Sequence, residues 1–314
     1  MNQPEIPHLE ASLVDNAVSH WRAGGLVAIP TETVYGLAAD ATNGRAVAGI
    51  YEAKSRPQFN PLIVHVADVS MARQYAEWND LAETLAAHYW PGPLTLVLKR
   101  RADSPISELV SAGGDTLALR MPAHPMARQL LRAFGGGLAA PSANRSGRVS
   151  PTTADHVVQE FGSDLLVIDG GPCLLGIEST VIDTTGSQPV LLRPGSITGS
   201  MITTVAGPLA NAASAEILRA PGQLASHYAP SLRVRLNATQ VAPEEALLAF
   251  GEPLPGAART LNLSASGHLG EAAANLFAHM RALDDPRFTA MAVMPIPQHG
   301  IGIAINDRLQ RAAA

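Results

Sequence analysis

Apolar positions alternate along the first two hundred residues between short continuous runs and stretches with helical spacing. Leu9, Leu13, Ala17, Val18 and Trp21 recur at helical intervals and stop at Gly24-Gly25, which predicts a first helix closed by a glycine C-cap. The run Leu26-Val27-Ala28-Ile29 and the run Leu62-Ile63-Val64-His65-Val66 read as buried strands, with a helix over Asn43 to Ala53 between them. Further strands are predicted at Leu94 to Leu98, Leu117 to Leu119, Leu138 to Ala140, Leu165 to Ile168, Thr180 to Asp183 and Val190 to Leu192. Helices are predicted at Leu81 to His88, Met126 to Phe134 and Thr153 to Phe161.

Strands outnumber helices in this part, so the pattern fits an α/β (α+β) domain with a sizeable mixed sheet better than a strict βαβ repeat. From about Met201 to Pro230 the chain turns to Ala, Gly, Pro, Ser and Thr with weak periodicity, as a linker does. Strand runs at Leu232 to Leu236, Leu247 to Phe250, Thr260 to Leu263 and Met291 to Ile296 then alternate with a helix carrying Ala272, Leu276, Phe277, Met280 and Leu283 and with a last helix from Ile303 toward Arg311. These read as a small Rossmann-like α/β unit without a G-x-G-x-x-G fingerprint. The expected division is 1–204, a linker or lid over 205–230, and 231–314.

Composition narrows the chemistry. Of 314 residues 46% are hydrophobic and 16% charged, which excludes a disordered chain. A net charge of -5 argues against a broad nucleic-acid footprint. A single cysteine, Cys173, excludes a disulfide framework and suits a reducing cytoplasm; flanked by Pro172 and Leu174 it reads as a packed thiol. The first residues carry no basic and apolar leader and no apolar run reaches about 18 residues, so a soluble cytoplasmic protein away from membranes is expected. The ten histidines show no metal-ligand spacing, and no G-x-S-x-G or Cys-His nucleophile is present.

The candidate chemistry lies at strand ends. Pro30-Thr31-Glu32-Thr33-Val34-Tyr35-Gly36-Leu37 is either a ligand-contacting loop or a Thr-rich turn satisfying its own backbone. Only two of the 22 basic residues are lysine, and one is Lys54 in Lys54-Ser55-Arg56-Pro57. In an extended segment Lys54 and Arg56 would share one face and neutralise adjacent phosphates, with Asn60 beside them; alone, the triplet is a solvated turn. Arg120 closes a strand and suits a ligand carboxylate, and Pro141-Ser142-Ala143-Asn144 has small side chains that let backbone amides approach phosphate.

Taken in order with Glu178-Ser179-Thr180, Arg193-Pro194-Gly195, Pro221-Gly222 and His227-Tyr228-Ala229-Pro230, these motifs resemble the threonylcarbamoyl-AMP synthases, the YrdC-like family, in its long two-domain form. The resemblance covers Gly25 through Gly195, the linker motif, and Leu269 to Ala273 with Gly302 to Leu309. It implies a twisted mixed sheet with a positively lined cleft, and a nucleotidyltransferase that joins L-threonine, bicarbonate or CO2, and ATP into threonylcarbamoyl-adenylate and pyrophosphate. A separate tRNA threonylcarbamoyl transferase complex would consume that product, leaving room for weak contact with tRNA itself. By the same resemblance Thr33, His65, Arg120, Ala140 and Ser179 are threonine positions. Arg56, Asn60, Thr116, Ser142, Asn144, Ser150, Arg193, His227 and Tyr228 are ATP positions, with Lys54 and Arg56 catalytic through charge and Mg²⁺ carried by the nucleotide rather than by a protein site. After Pro221-Gly222 the chain reads Gln223-Leu224-Ala225-Ser226 where the family carries a basic residue, so a linker charge on the triphosphate is not expected. Two other readings stay open, a carbamoyl-adenylate-forming domain of a carbamoyltransferase and a double-stranded RNA- or tRNA-binding module.

Overall fold

The structure, a computed structural model, describes residues 9–57, 59–210 and 227–314. In chain order it runs α1 (Ala11–Arg22), β1 (Val27–Ile29), β2 (Gly36–Asp40), α2 (Gly44–Lys54), β3 (Ile63–His65), α3 (Val69–Tyr75), α4 (Asp80–Tyr89), β4 (Leu94–Lys99), β5 (Thr116–Arg120), α5 (Pro125–Phe134), β6 (Leu138–Ala139), α6 (Ala154–Phe161), β7 (Leu166–Val167), β8 (Thr180–Asp183), β9 (Val190–Arg193) and α7 (Gly199–Ala206). These strands form one nine-stranded mixed sheet in the order β7-β1-β2-β6-β3-β5-β4-β8-β9. The chain then continues through β10 (Val234–Arg235), β11 (Ala246–Ala249), β12 (Arg259–Asn262), α8 (Leu269–Leu283), β13 (Met291–Val293) and α9 (Gly302–Ala312), whose strands pair in parallel as β10-β13-β11-β12.

Helix boundaries follow their capping chemistry. Asn43 accepts hydrogen bonds from the Arg45 and Ala46 amides to open α2, Asn79 accepts from Ala82 to open α4, and Gly135 closes α5 with φ +75. Three elements differ from the sequence reading. β2 is a strand with all but its last residue buried, but its Gly-Leu-Ala-Ala-Asp sequence carries no β-branched signal. α3 is short and starts on the Asp68 cap. α7 occupies residues assigned to the start of the linker, because Thr198 caps the Met201 amide and Ile202 is buried; the expected boundary at residue 204 falls inside it. Most of that linker, including Pro221-Gly222 and residues 223–226, lies outside the described residues.

The alternation along β5 positions the site. Leu117 and Leu119 point into the main core with Leu96, Leu98 and Val64, under α2 and α4. Thr116, Ala118 and Arg120 face the other way by the two-residue period, where Ala118 meets only a small apolar cluster of Ile63, Val97 and Val181. That thinly covered face is the floor of a cleft. The C-terminal unit closes over one side of it: Val34, Val149, Ile177 and Tyr228 share a core with Leu276, Phe277 and Ile305 from α8 and α9.

Candidate active site

The cavity on this face encloses about 510 Å³ of empty space, open mouth included. β3 and β5 run parallel with His65 opposite Arg120, so both side chains arrive at one end of the floor. The loop after β1 forms the facing wall. Thr31 Oγ1 accepts from the Thr33 and Val34 amides, as in an ST turn, and contacts Thr33 Oγ1 at 2.9 Å. Arg120 in turn donates to Thr33 Oγ1 at 2.9 Å, to Glu32 Oε1 at 2.6 Å and to the Gly92 carbonyl at 3.2 Å. Glu32 is a missed site residue: its second oxygen accepts from the Ala123 amide, so it both neutralises and orients Arg120.

The Lys54-Arg56 expectation is corrected in its geometry. The segment is not extended, since Lys54 ends α2 and Ser55 takes a left-handed φ of +50. Lys54 is buried and does not line the cavity; Nζ donates to the Ser142 carbonyl at 2.6 Å and to the Asn144 carbonyl, pinning the loop after β6. That loop is further tied to β2 by Leu37 N to Pro141 O and Ala143 N to Tyr35 O, so Ala140, Pro141 and Ser142 line the cavity. Arg56 does line it, held by Nε to the Asn60 carbonyl and Nη2 to the Pro61 carbonyl.

Ser179 and Arg193 complete the opposite wall. Ser179 Oγ meets Thr95 Oγ1 at 2.7 Å and accepts from Arg193 Nη2, whereas the Thr180 hydroxyl points away and donates to the Ile197 carbonyl. Gly195 allows this close approach, because a Cβ there would sit 2.4 Å from the Thr180 amide nitrogen. His227 and Tyr228 both reach the cavity, their rings 4.1 Å apart edge to face. Besides Lys54, four proposed residues lie off its wall: Asn60, Asn144 and Ser150 are buried behind it, and Thr116 starts β5 roughly 13 Å along the strand from Arg120, on the same face. Ser150 instead donates to Glu178 Oε1, and Glu178 lines the cavity although no role was read for it from the sequence.

The electrostatics call for an anion. Among the described residues no carboxylate pairs with Arg56, and burial pulls its guanidinium down to about 10, which still leaves it charged at neutral pH. Burial lowers Arg193 as well. Burial, with the nearby Arg120 charge, pushes His65 down to about 3, and burial does the same to His227, so both imidazoles are neutral. Their Nδ1 atoms, with both polar side-chain atoms of Asn60 and Asn144 Oδ1, are buried and unpartnered. Buried polar atoms of this kind normally find partners, and the two unpartnered imidazole nitrogens belong to residues that line the cavity, which suits a polar ligand. Glu32 and Glu178 are taken by Arg120 and Arg308, and among the described residues no three or more His, Cys, Asp or Glu stand together to hold a metal ion. Nor is there a poised thiol, since burial pushes Cys173 up to about 12.

Comparisons with known proteins cover both parts of the chain. Residues 19–195 match the Sua5, YciO and YrdC family model, described as telomere recombination, and residues 197–314 match a model described as the C-terminal domain of threonylcarbamoyl-AMP synthase. A threonylcarbamoyl-AMP synthase of Bacillus subtilis is 38% identical over 335 residues, covering 99% of this chain and 94% of its own. One from Pyrococcus abyssi is 40% identical, covering 93% and 91%. The crystal structure of P. abyssi Sua5 complexed with L-threonine superposes with a TM-score of 0.90 at 36% identity, over 98% of this chain and 96% of that one. The chain thus belongs to the threonylcarbamoyl-AMP synthase family, in the form that carries both the YrdC-like domain and the C-terminal domain.

Proposed function

We propose that this protein makes L-threonylcarbamoyl-adenylate and pyrophosphate from L-threonine, bicarbonate or CO2, and ATP. The observation that carries the reading is the pair of buried arginines, Arg56 and Arg193, facing a cavity rimmed by unpartnered polar atoms. The threonine amine forms an N–C bond to CO2 and loses a proton, giving a carbamate. A carbamate oxygen then bonds to the α-phosphorus as the bond to pyrophosphate breaks. Both steps proceed without a covalent enzyme intermediate, so positioning and charge neutralisation suffice.

Thr33, His65, Arg120, Ala140 and Ser179 form the threonine end. A threonine carboxylate bound there would take the two Arg120 N–H groups left over after Gly92, Thr33 and Glu32 are served. Arg56, Ser142, Arg193, His227 and Tyr228 form the nucleotide end. Lys54 acts on that end through the Ser142 and Asn144 carbonyls it holds, whereas Asn60, Thr116, Asn144 and Ser150, which lie off the cavity wall, are nucleotide positions by the family resemblance alone. Mg²⁺ would arrive on the nucleotide and supply charge neutralisation there. The labile product goes to a tRNA threonylcarbamoyl transferase in the cytoplasm; none of the described helices is long and apolar enough to cross a membrane.

The test is pyrophosphate release with ATP, bicarbonate and a panel of amino acids. Release that depends on threonine supports the assignment, and release independent of the amino acid refutes it.

A further inference from the structure

Three segments that line the cavity converge on one side chain that does not: Arg308, on α9 of the C-terminal unit, fully buried. Its Nε donates to Glu178 Oε2 at 2.9 Å, and Nη2 donates to the Pro194 carbonyl, next to Arg193, at 2.9 Å. Its Cζ stands 5.3 Å from the centroid of the Tyr228 ring, which is stacked on Phe277 from the other helix of that unit. The fork is itself fixed by Asp307, whose Oδ2 accepts from Nη1 at 2.6 Å. α9 also holds the neighbouring residue, since the His227 amide donates to the Arg311 carbonyl. We infer that Arg308 is a positioning residue for the adenylation site, and that the C-terminal unit is thereby a working wall of that site.

Two features separate this from an incidental buried ion pair. A buried pair adds little net stability on its own, because desolvation consumes most of the Coulombic gain. What Arg308 gives instead is geometry: a planar fork reaches a carboxylate, a carbonyl and an aromatic face at once, which a lysine ammonium cannot do. Glu178 is held between Arg308 and Ser150. Burial alone would raise its carboxyl, but the Arg308 and Arg193 charges keep it below the ordinary range, so the clasp stays ionised near neutrality. The backbone leading to Glu178 also packs directly on the C-terminal unit, against α8: Gly176 has φ +67, and a Cβ there would lie 2.4 Å from the Ala274 carbonyl oxygen.

The inference rests on the proposed adenylate synthesis, so the test carries one readout that needs no turnover. ATP affinity by calorimetry and threonine-dependent pyrophosphate release are measured on the full chain, on Arg308→Lys, on Tyr228→Leu and on the double variant, with thermal unfolding of each. Arg308→Lys should weaken ATP binding and lower kcat/KM for ATP about a hundredfold, the scale of a small misplacement of reacting groups. The double variant should be no worse than Tyr228→Leu alone, because both changes break one unit. Arg308→Gln, which keeps two donors, enters the same cycle if the lysine variant does not fold. Parent-like ATP affinity and kcat/KM in the Arg308 variant, or losses that multiply in the double variant, would overturn the inference. A parent chain that binds ATP but releases no threonine-dependent pyrophosphate would sink the functional reading instead, and the ATP affinities would still decide the role of Arg308.

Discussion

Arg120 and Glu32 form a buried ion pair at 2.6 Å, so the arginine best placed for an amino-acid carboxylate is already neutralised by the protein. The pair leaves the guanidinium plane fixed, while Arg56 and Arg193 bring further positive charge to the cavity.

Glu32→Gln keeps the shape but removes the charge that orients Arg120. Breaking a buried pair from one side typically costs 2–5 kcal/mol, and part of this should appear as a rise of about tenfold or more in KM for threonine. KM for ATP should stay near the parent value. Steady-state kinetics with each substrate varied in turn will show it, and equal rises in both constants would mean that Glu32 serves the whole cleft.

Lys54 and Arg56 should fail differently. Arg56→Ala removes a cavity-facing charge and should lower kcat/KM for ATP by about 10²-fold or more, the scale of a lost electrostatic donor; it also leaves the Asn60 and Pro61 carbonyls without their donor, so its melting temperature should fall too. Lys54→Ala leaves two carbonyls of the 142–144 loop without their donor, so it should lose activity and also melt lower by a few degrees. ATP affinity measured on the folded variants beside the kinetics separates a lost cavity charge from a lost loop brace; an Arg56→Ala protein with parent kcat/KM would remove it from the nucleotide end.

Acid should destabilise the fold through its buried imidazoles. His65 and His227 are held neutral down to about 3, while in the unfolded chain they protonate near 6.5. The unfolded state therefore binds more protons as pH falls below about 6.5, and stability is lost progressively from there toward about 3. Each imidazole contributes on the order of 1 kcal/mol per pH unit within that window. Denaturant melts at pH 7.5, 6 and 5 should show this slope, and His65→Asn should flatten it; a slope unchanged by that substitution would assign it elsewhere.

Gly195→Ala should be the most damaging single methyl on the cleft wall. The added Cβ meets the Thr180 amide at 2.4 Å, with backbone on both sides, so β8 or the Ser179-Arg193 contact must shift. Overpacking of this kind costs about 1–3 kcal/mol. A lower melting midpoint with weakened ATP binding is expected, and an unchanged midpoint would show that the loop yields freely.

Much of the fold was legible because its signals are local. β8 begins and ends at the predicted residues, and α5 and α6 follow their apolar stripes closely. β2 was hidden because glycine and alanine buried on both faces carry no periodicity, and α7 because its threonines and glycine resemble linker composition. Of the residues that line the cavity, Arg120 was legible from its position at the end of an apolar run, whereas His65 and Arg193 were picked out only by the family resemblance. Glu32 and Glu178 were not, because their roles depend on Arg120 and Arg308, 88 and 130 residues away, and sequence spacing holds no trace of such contacts. The same distance hid the Lys54 carbonyl contacts, which recast a charge offered to phosphate as a brace for the loop that receives it.

The most direct measurement of the central claim follows the carbon rather than the pyrophosphate. The protein is incubated with ATP, L-threonine and ¹³C-bicarbonate, and the nucleotide products are resolved by mass spectrometry. The account predicts an adenylate one mass unit heavier than that made with unlabelled bicarbonate, formed only when threonine is present and at least about a hundredfold less with Arg56→Ala. An adenylate without the label, or labelled product formed at the parent rate by Arg56→Ala, would contradict it.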